Sequence, residues 1–226
     1  MTILCIETST SVCSAAICKD GVPVKQCICL EGSNHARLLP RYIEELLSFA
    51  REQHLSIEAV ALSEGPGSYT GLRIGTSTAK GLCYGLNIPL IPIPTLAVLC
   101  EAARKQSAVT IQPSDTLLPM IDARRMEVYT TDIDNKARAV VVENEDSLYS
   151  GNGDVYYFGD GAGKCSRIFT KPNWHFIPDI VPQAQYMGEL VESRKSKVEG
   201  ADLAYYEPFY LKEFVAAQSH VKGLKP

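Results

Sequence analysis

Two stretches of this 226-residue chain follow one plan, and that repetition restricts the fold more than any other feature. "TILCIE" reads as a buried strand ending in Glu7, followed by the turn "TSTS" and the strand "VCSAAIC". The turn "KDG" at 19–21 then starts a third strand, in which Val22, Val24, Gln26, Ile28 and Leu30 alternate with their neighbours. Far downstream, "LLPMID" ends in Asp122 and leads into the turn "ARR", the strand "MEVYTTDI", the turn "DNK" and the strand "ARAVVVEN". Both are strands that end in an acid and run into two antiparallel strands. A chain of this length can bury two cores, so the pattern points to an α/β protein built by duplication.

Helices and further strands complete each half. Leu38, Leu39, Tyr42, Ile43, Leu46, Leu47 and Ala50 recur at three and four residues, which predicts an amphipathic helix beginning near Ser33 or Asn34, with Pro40 in its first turn or at a kink. "IEAVALS" is a strand, a glycine-rich segment enters a helix to about Leu86, "IPLIPI" is a strand and "TLAVLCEAARK" a helix, giving the order βββαβαβα. Residues 105–116 read as a linker, dividing the chain into lobes 1–104 and 105–226. In the second half "DVYYFGDGAGKC" gives a strand and a small-residue turn, "WHFIP" a strand, "AQYMGELVESRK" a helix, and "EPFYLKEF" an extended segment before a basic end. The segment after about 185 is a candidate for packing back on the first lobe. The expected architecture is two βββαβα lobes facing each other across a cleft.

The segment "SEGPGSYTGLRIGTSTAKG" (63–81) invites a phosphate-loop reading, and the spacing refuses it. A P-loop needs its lysine at the helix entrance beside a hydroxyl, but Lys80 lies well inside the helix and precedes Gly81. The dinucleotide fingerprint needs glycine at position 70, where Thr70 stands. What remains is a turn at Gly65-Pro66-Gly67 with Ser68 and Thr70 able to cap the helix. Within that helix Gly71, Gly75, Ala79 and Cys83 form a row at four-residue spacing, with Ser77, Gly81 and Gly85 in a neighbouring row. Helical glycine costs about 1 kcal/mol relative to alanine, so such rows need a compensating close helix approach, in this chain or to a partner.

Other site chemistries find little support. Net charge is −4, which argues against this chain as the main electrostatic surface for nucleic acid. The eight cysteines include no C-x-x-C pair and read as buried, reduced thiols of a cytoplasmic protein rather than disulfides or a zinc site. His35, His54, His175 and His220 lack metal-ligand spacing and read as surface or capping residues, and no G-x-S-x-G elbow is present. The N-terminus has no signal-peptide pattern and no stretch reaches membrane-span length, so a cytoplasmic location is expected. Thr8, Ser9, Thr10 and Ser11 are candidate phosphate donors in the first turn, whereas the matching turn Ala123-Arg124-Arg125 lacks the glycines that let backbone approach phosphate.

Taken together, "ILCIETSTSVCSAAI", "SNHARLLPRYIEELL", "SEGPGSYTGLRIGTSTAKGLCYGLNIPLIPIPTLAVL", "MIDARRMEVYT", "YFGDGA" and "EPFYLK" closely resemble the TsaB (YeaZ) family, over nearly the whole chain. The resemblance implies the actin-like (ASKHA) fold of actin, sugar kinases and Hsp70, with two ribonuclease-H-like lobes. It implies a non-catalytic partner of the transferase TsaD in making threonylcarbamoyladenosine beside the tRNA anticodon, with TsaE as a third component, a homodimer when alone, and tRNA met only through the complex. No catalytic or metal residue is implied: where TsaD carries H-x-x-x-H, this sequence has Thr95 and Leu99, which are no ligand pair. No cofactor is implied for the chain alone, with weak or shared ATP or ADP binding left open in the complex. The helices at 33–52 and 68–86 would form the partner face, with Gly67, Ser68, Tyr69, Thr70, Gly71, Arg73, Gly75, Thr78, Ala79 and Leu82 in contact. The alternative is a small actin-like-fold ATPase or phosphotransferase acting on its own.

Overall fold

A computed structural model describes residues 1–32, 34–131, 134–193 and 200–212. Its first sheet has strands β1 (Thr2–Glu7), β2 (Cys13–Lys19), β3 (Val22–Cys29), β4 (Ala59–Gly65) and β5 (Leu90–Pro94) in the order β3-β2-β1-β4-β5. The β1–β2 and β2–β3 pairs are antiparallel; β1–β4 and β4–β5 are parallel. Every residue of β1 is buried. A central strand covered on both faces has no polar side, which is why "TILCIE" does not alternate. Asp20 and Gly21 close the β2–β3 hairpin, both with left-handed φ (50° and 82°), as a two-residue turn between twisted strands requires.

Helices α1 (His35–Glu52) and α2 (Tyr69–Leu86) cover one face of this sheet. α1 continues through Pro40, which sits beyond the first turn. Proline has no N–H to offer the Ala36 carbonyl, and burial of Leu39, Ile43, Leu46 and Ala50 offsets that loss. Ser68 caps α2, its Oγ accepting from Gly71 N–H at 3.3 Å, and Asn87 ends it in the left-handed conformation. Helix α3 (Thr95–Gln106) lies against the other face, with Val98 against Ile3, Cys5, Ile91 and Ile93.

The second lobe contains β6 (Thr116–Pro119), β7 (Ile121–Asp122), β8 (Glu127–Thr131), β9 (Ala137–Val141), β10 (Val155–Phe158), α4 (Ala162–Cys165) and β11 (Trp174–Ile177). Here the segment "LLPMID" is two strands, not one. Its first half pairs with β10 and its second half with β8, with Met120 between them. Taking β6 and β7 as one interrupted strand, the order β9-β8-β7/β6-β10-β11 repeats that of the first lobe. The repeat is abbreviated in its helices: a 3₁₀ turn at Glu145–Ser147 stands where α1 stands in the first lobe, and α4 has four residues against eighteen in α2.

α3 joins the lobes. Its Leu96, Leu99, Ala102 and Ala103 pack with Ile121, Phe158, Ile177 and Ile180 of the second lobe. After β11 the chain returns: the turn Ala184–Tyr186 and helix α5 (Met187–Glu192) bury Ala184, Met187 and Val191 against the first sheet. Residues 200–212 continue along it, Ala201 N–H donating to the Leu90 carbonyl (2.9 Å) and Phe209 N–H to that of Glu64 (2.8 Å). Spatial membership of a lobe therefore does not follow chain order. Among the described residues no helix is long and apolar enough to cross a membrane. Ser33, the end of "MEVYTTDI", the end of "AQYMGELVESRK", and the basic tail with His220 lie outside the described residues.

Candidate functional site

Between the lobes lies a cavity of about 1060 Å³, lined on one side by Ser9–Ser11 and Gly67–Thr70 and on the other by Asp122–Glu127 and Asp160. Phe209, Tyr210, Leu211 and Lys212 form a third wall. Phe209 also borders a second cavity of about 850 Å³, lined by α3 and β6, so the C-terminal segment stands between the two.

The first turn is turned inward. Glu7 is buried at the end of β1, and its Oε1 accepts from the Ser9 N–H (2.6 Å) and Oγ–H (2.5 Å). Burial pushes the Glu7 carboxyl up from its usual value, while the Ser9 donors pull it back. Thr8 Oγ–H donates to the Gly71 carbonyl (2.9 Å), and Thr10 Oγ1 accepts from Val12 N–H (3.3 Å). Thr8, Ser9 and Thr10 are all buried, and only Ser11 is exposed. The Thr8 and Ser9 hydroxyls donate within the fold, whereas Thr10 Oγ1 only accepts and borders the cavity.

The same contacts account for the glycines. Ser68 N–H donates to the Ser9 carbonyl at 2.6 Å, bringing the start of α2 against the turn. A β-carbon on Gly67 would lie 2.8 Å from Ser9 Cβ, and one on Gly71 would lie closer than 3.0 Å to the Thr8 carbonyl oxygen. One on Gly75 would press Thr8 Oγ1 and lie 3.2 Å from Leu62 Cδ1. The row Gly71, Gly75, Ala79, Cys83 is buried against its own sheet. Gly71, Gly75 and Ala79 therefore leave the expected partner face, because the β1–β2 turn and the sheet already cover them. The second row behaves differently: Ser77, Gly81 and Gly85 are exposed, and a β-carbon on either glycine would meet nothing within 4 Å. Of the remaining expected contacts, Ser68, Thr70 and Arg73 are exposed, while Gly67, Tyr69, Thr78 and Leu82 are half-buried.

The second turn is built from side-chain charge instead of glycine. Arg124 and Arg125 both adopt left-handed φ (74° and 51°) and are exposed. Asp122 accepts from Arg124 N–H (3.1 Å) and pairs with Lys164, whose ammonium also reaches the Glu127 carbonyl (2.6 Å). Asp160, exposed at the cavity edge, accepts from Asp122 N–H (2.9 Å), and the low-polarity wall around its carboxyl pushes it up. Lys212 pairs with Glu127, tying the C-terminal segment to this lobe. Its other end is held by the first lobe: the Tyr210 ring packs on Tyr69 (4.8 Å between centroids), and Arg73 lies over Tyr69 and donates to Tyr210 Oη (3.2 Å). Sequence reasoning noticed the turn "FGDGAGKC" that holds Asp160 and Lys164 but favoured ordinary turn formation for it, and it did not place Lys212 in the cleft. The "EPFYLK" match was the one available signal for the last of them.

Thr95 and Leu99 are core residues. Thr95 Oγ1 accepts from Gly65 N–H (3.1 Å) and shares a hydrogen bond with Ser63 Oγ (2.6 Å), and Leu99 packs on Phe158. Among the described residues no three His, Cys, Asp or Glu side chains are grouped to hold a metal. His35, expected at the surface or capping a helix, is buried at the first position of α1. All eight cysteines are free thiols, six of them buried.

Comparison with known proteins gives this geometry a context. The model of the family TsaD, tRNA N6-adenosine threonylcarbamoyltransferase, matches residues 30–151, just over half of the chain. The tRNA threonylcarbamoyladenosine biosynthesis protein TsaB of Escherichia coli is 35% identical over 236 residues, covering 96% of each chain. The chain belongs to the TsaB family. Its Haemophilus influenzae namesake is 28% identical over 231 residues and 95% of each chain. The structure of YeaZ from Pseudomonas aeruginosa matches with a TM-score of 0.74 at 26% identity, over 93% of this chain and 99% of that one. The TsaB fold is the actin-like one, and the shared strand order of the two lobes is its duplicated unit.

Proposed function

We propose that this chain is a non-catalytic scaffold and activator of TsaD, in the complex that transfers threonylcarbamoyl to N6 of the adenosine 3′ of the anticodon in tRNAs reading codons beginning with A. The names carried by the E. coli and H. influenzae relatives support a role in that modification. The observation that carries the scaffold role is the division of labour within α2. One small-residue row is spent on the chain's own sheet, and a second, Ser77-Gly81-Gly85, is left open to close approach by another helix. In the polar turn at 8–10 the hydroxyls of Thr8 and Ser9 donate internally, which disfavours chemistry of the chain's own.

On this reading the chain pairs with TsaD through α1 and α2, joins TsaE in a ternary complex, forms a homodimer when alone, and meets tRNA only through the complex. It needs no cofactor of its own, and any ATP or ADP is bound weakly or shared at the assembly. Threonylcarbamoylation by the TsaD of the same organism, measured with and without this protein, is the test. A large drop without it is expected, and equal rates would overturn the proposal. The alternative, an actin-like-fold ATPase acting alone, has the volume of the cleft in its favour. Micromolar binding of ATP and magnesium to the isolated chain in a calorimeter would favour that alternative.

A further inference from the structure

The exposed stripe of α2 does not stand by itself. Tyr69, Arg73 and Lys80 lie along one flank of the helix, and the C-terminal segment runs beside them. Lys80 donates from Nζ to the carbonyls of Ala204 (3.3 Å) and Tyr206 (3.1 Å), gripping the backbone on both sides of Tyr205. Tyr206 packs inward against the first core, and the alternation sends Tyr205 outward, where it is 85% exposed. On α2 itself Tyr84 is 84% exposed beside Gly81 and Gly85. On the other flank Ile74 and Leu82 pack in the core that α1 shares. The open stripe is therefore a shallow channel with α1 on one side and residues 204–210 on the other.

Two features of that channel define what fits it. Its floor has no side chains at Gly81 and Gly85, so a helix backbone can approach closely. α2 carries two cations, Arg73 and Lys80, held by Tyr210 and by the Ala204 and Tyr206 carbonyls, and the adjoining segment brings the exposed Glu207 near Arg73. Two almost fully exposed tyrosines at its margins are the residue type that anchors interfaces, because a large rigid ring is buried at small entropic cost and the hydroxyl keeps a polar contact.

We propose that the partner surface is composite. The C-terminal segment, with Tyr205 as an anchor, completes the α2 stripe, and the occupant is a helix of the partner subunit with small residues over Gly81 and Gly85. The proposal rests on the scaffold reading above and adds a surface outside the two helices.

Calorimetric titration of the full-length chain with its TsaD tests it. Tyr205→Ala should weaken binding about 10-fold or more, as loss of an interface anchor does, with an unchanged unfolding midpoint because the side chain is exposed. Tyr205→Phe should stay within about 3-fold of wild type, since the ring supplies most of the buried area. Gly81→Leu serves as the separate test of the α2 stripe. If Gly81→Leu abolishes binding while Tyr205→Ala binds normally, the composite surface is wrong and the scaffold reading stands. If Gly81→Leu binds normally, the helix assignment itself fails. If Tyr205→Ala alters only self-association in sedimentation, the occupant is a second copy of this chain and the proposal is overturned.

Discussion

Gly71→Ala and Gly81→Ala make the same chemical change on one helix, and the structure assigns them opposite signs. Alanine is favoured over glycine inside a helix by about 1 kcal/mol. At Gly81 nothing lies within 4 Å of the new methyl, so that gain is kept. The unfolding midpoint should rise by about 2–4 °C, the response expected for about 1 kcal/mol in a chain of this size. At Gly71 the methyl would lie closer than 3.0 Å to the Thr8 carbonyl oxygen, a backbone atom that cannot rotate away. Relieving the overlap means lifting the β1–β2 turn from the start of α2, an overpacking cost of about 1–3 kcal/mol. It also loosens the buried bonds from Thr8 Oγ to the Gly71 carbonyl and from Ser68 N–H to the Ser9 carbonyl, each worth about 1 kcal/mol. After the propensity gain is set against these, Gly71→Ala should be destabilised by about 1–4 kcal/mol. Urea titration followed by circular dichroism measures both variants against wild type. Equal stability of the two, or a destabilised Gly81→Ala, would refute the claim that only the first glycine row is intramolecular.

Glu7→Gln tests the buried carboxyl. Because burial raises its folded pKa above the ordinary 4.5, the stability it contributes is fully present below that value and is lost as pH rises through the folded pKa. Glutamine keeps an oxygen for Ser9 and has no such loss, so its unfolding midpoint should gain on that of wild type as pH rises above the ordinary carboxylate range. A difference that stays constant with pH would argue against the assignment. Thiol labelling tests the cysteines: burial pushes Cys13, Cys27 and Cys83 up to about 11 and Cys100 up to about 12, leaving little thiolate at neutral pH. Ellman's reagent should therefore react first with the half-buried Cys29, and a fast phase that survives Cys29→Ser would contradict this.

Local pattern carried the first lobe a long way. The run "TILCIE", the turn residues Asp20 and Gly21, the Leu39-Ile43-Leu46-Ala50 stripe and the Ser68 cap are short-range signals, each set by backbone chemistry or by the period of one element. The second lobe was less legible. "LLPMID" looks like one strand because its apolar run is unbroken, but successive halves of it satisfy different neighbours, β10 and then β8, and pairing partners leave no mark on a single segment. Whether His35 at the start of α1 is exposed or buried was undecided for a similar reason, since burial of one polar side chain depends on what packs over it.

The sequence by itself determined that α2 would carry two rows of small residues, because four-residue spacing puts side chains in line on any α-helix. It could not say which row faces inward. That was decided by a contact between Thr8 and Gly71, distant in sequence, where the β1–β2 turn crosses the start of the helix and leaves no room for a β-carbon. The same passage of chain engages the hydroxyls of Thr8 and Ser9 and leaves Gly81 and Gly85 in the open. Spacing is a property of the helix; facing is a property of whatever the chain brings back against it, and only the folded protein contains that second term.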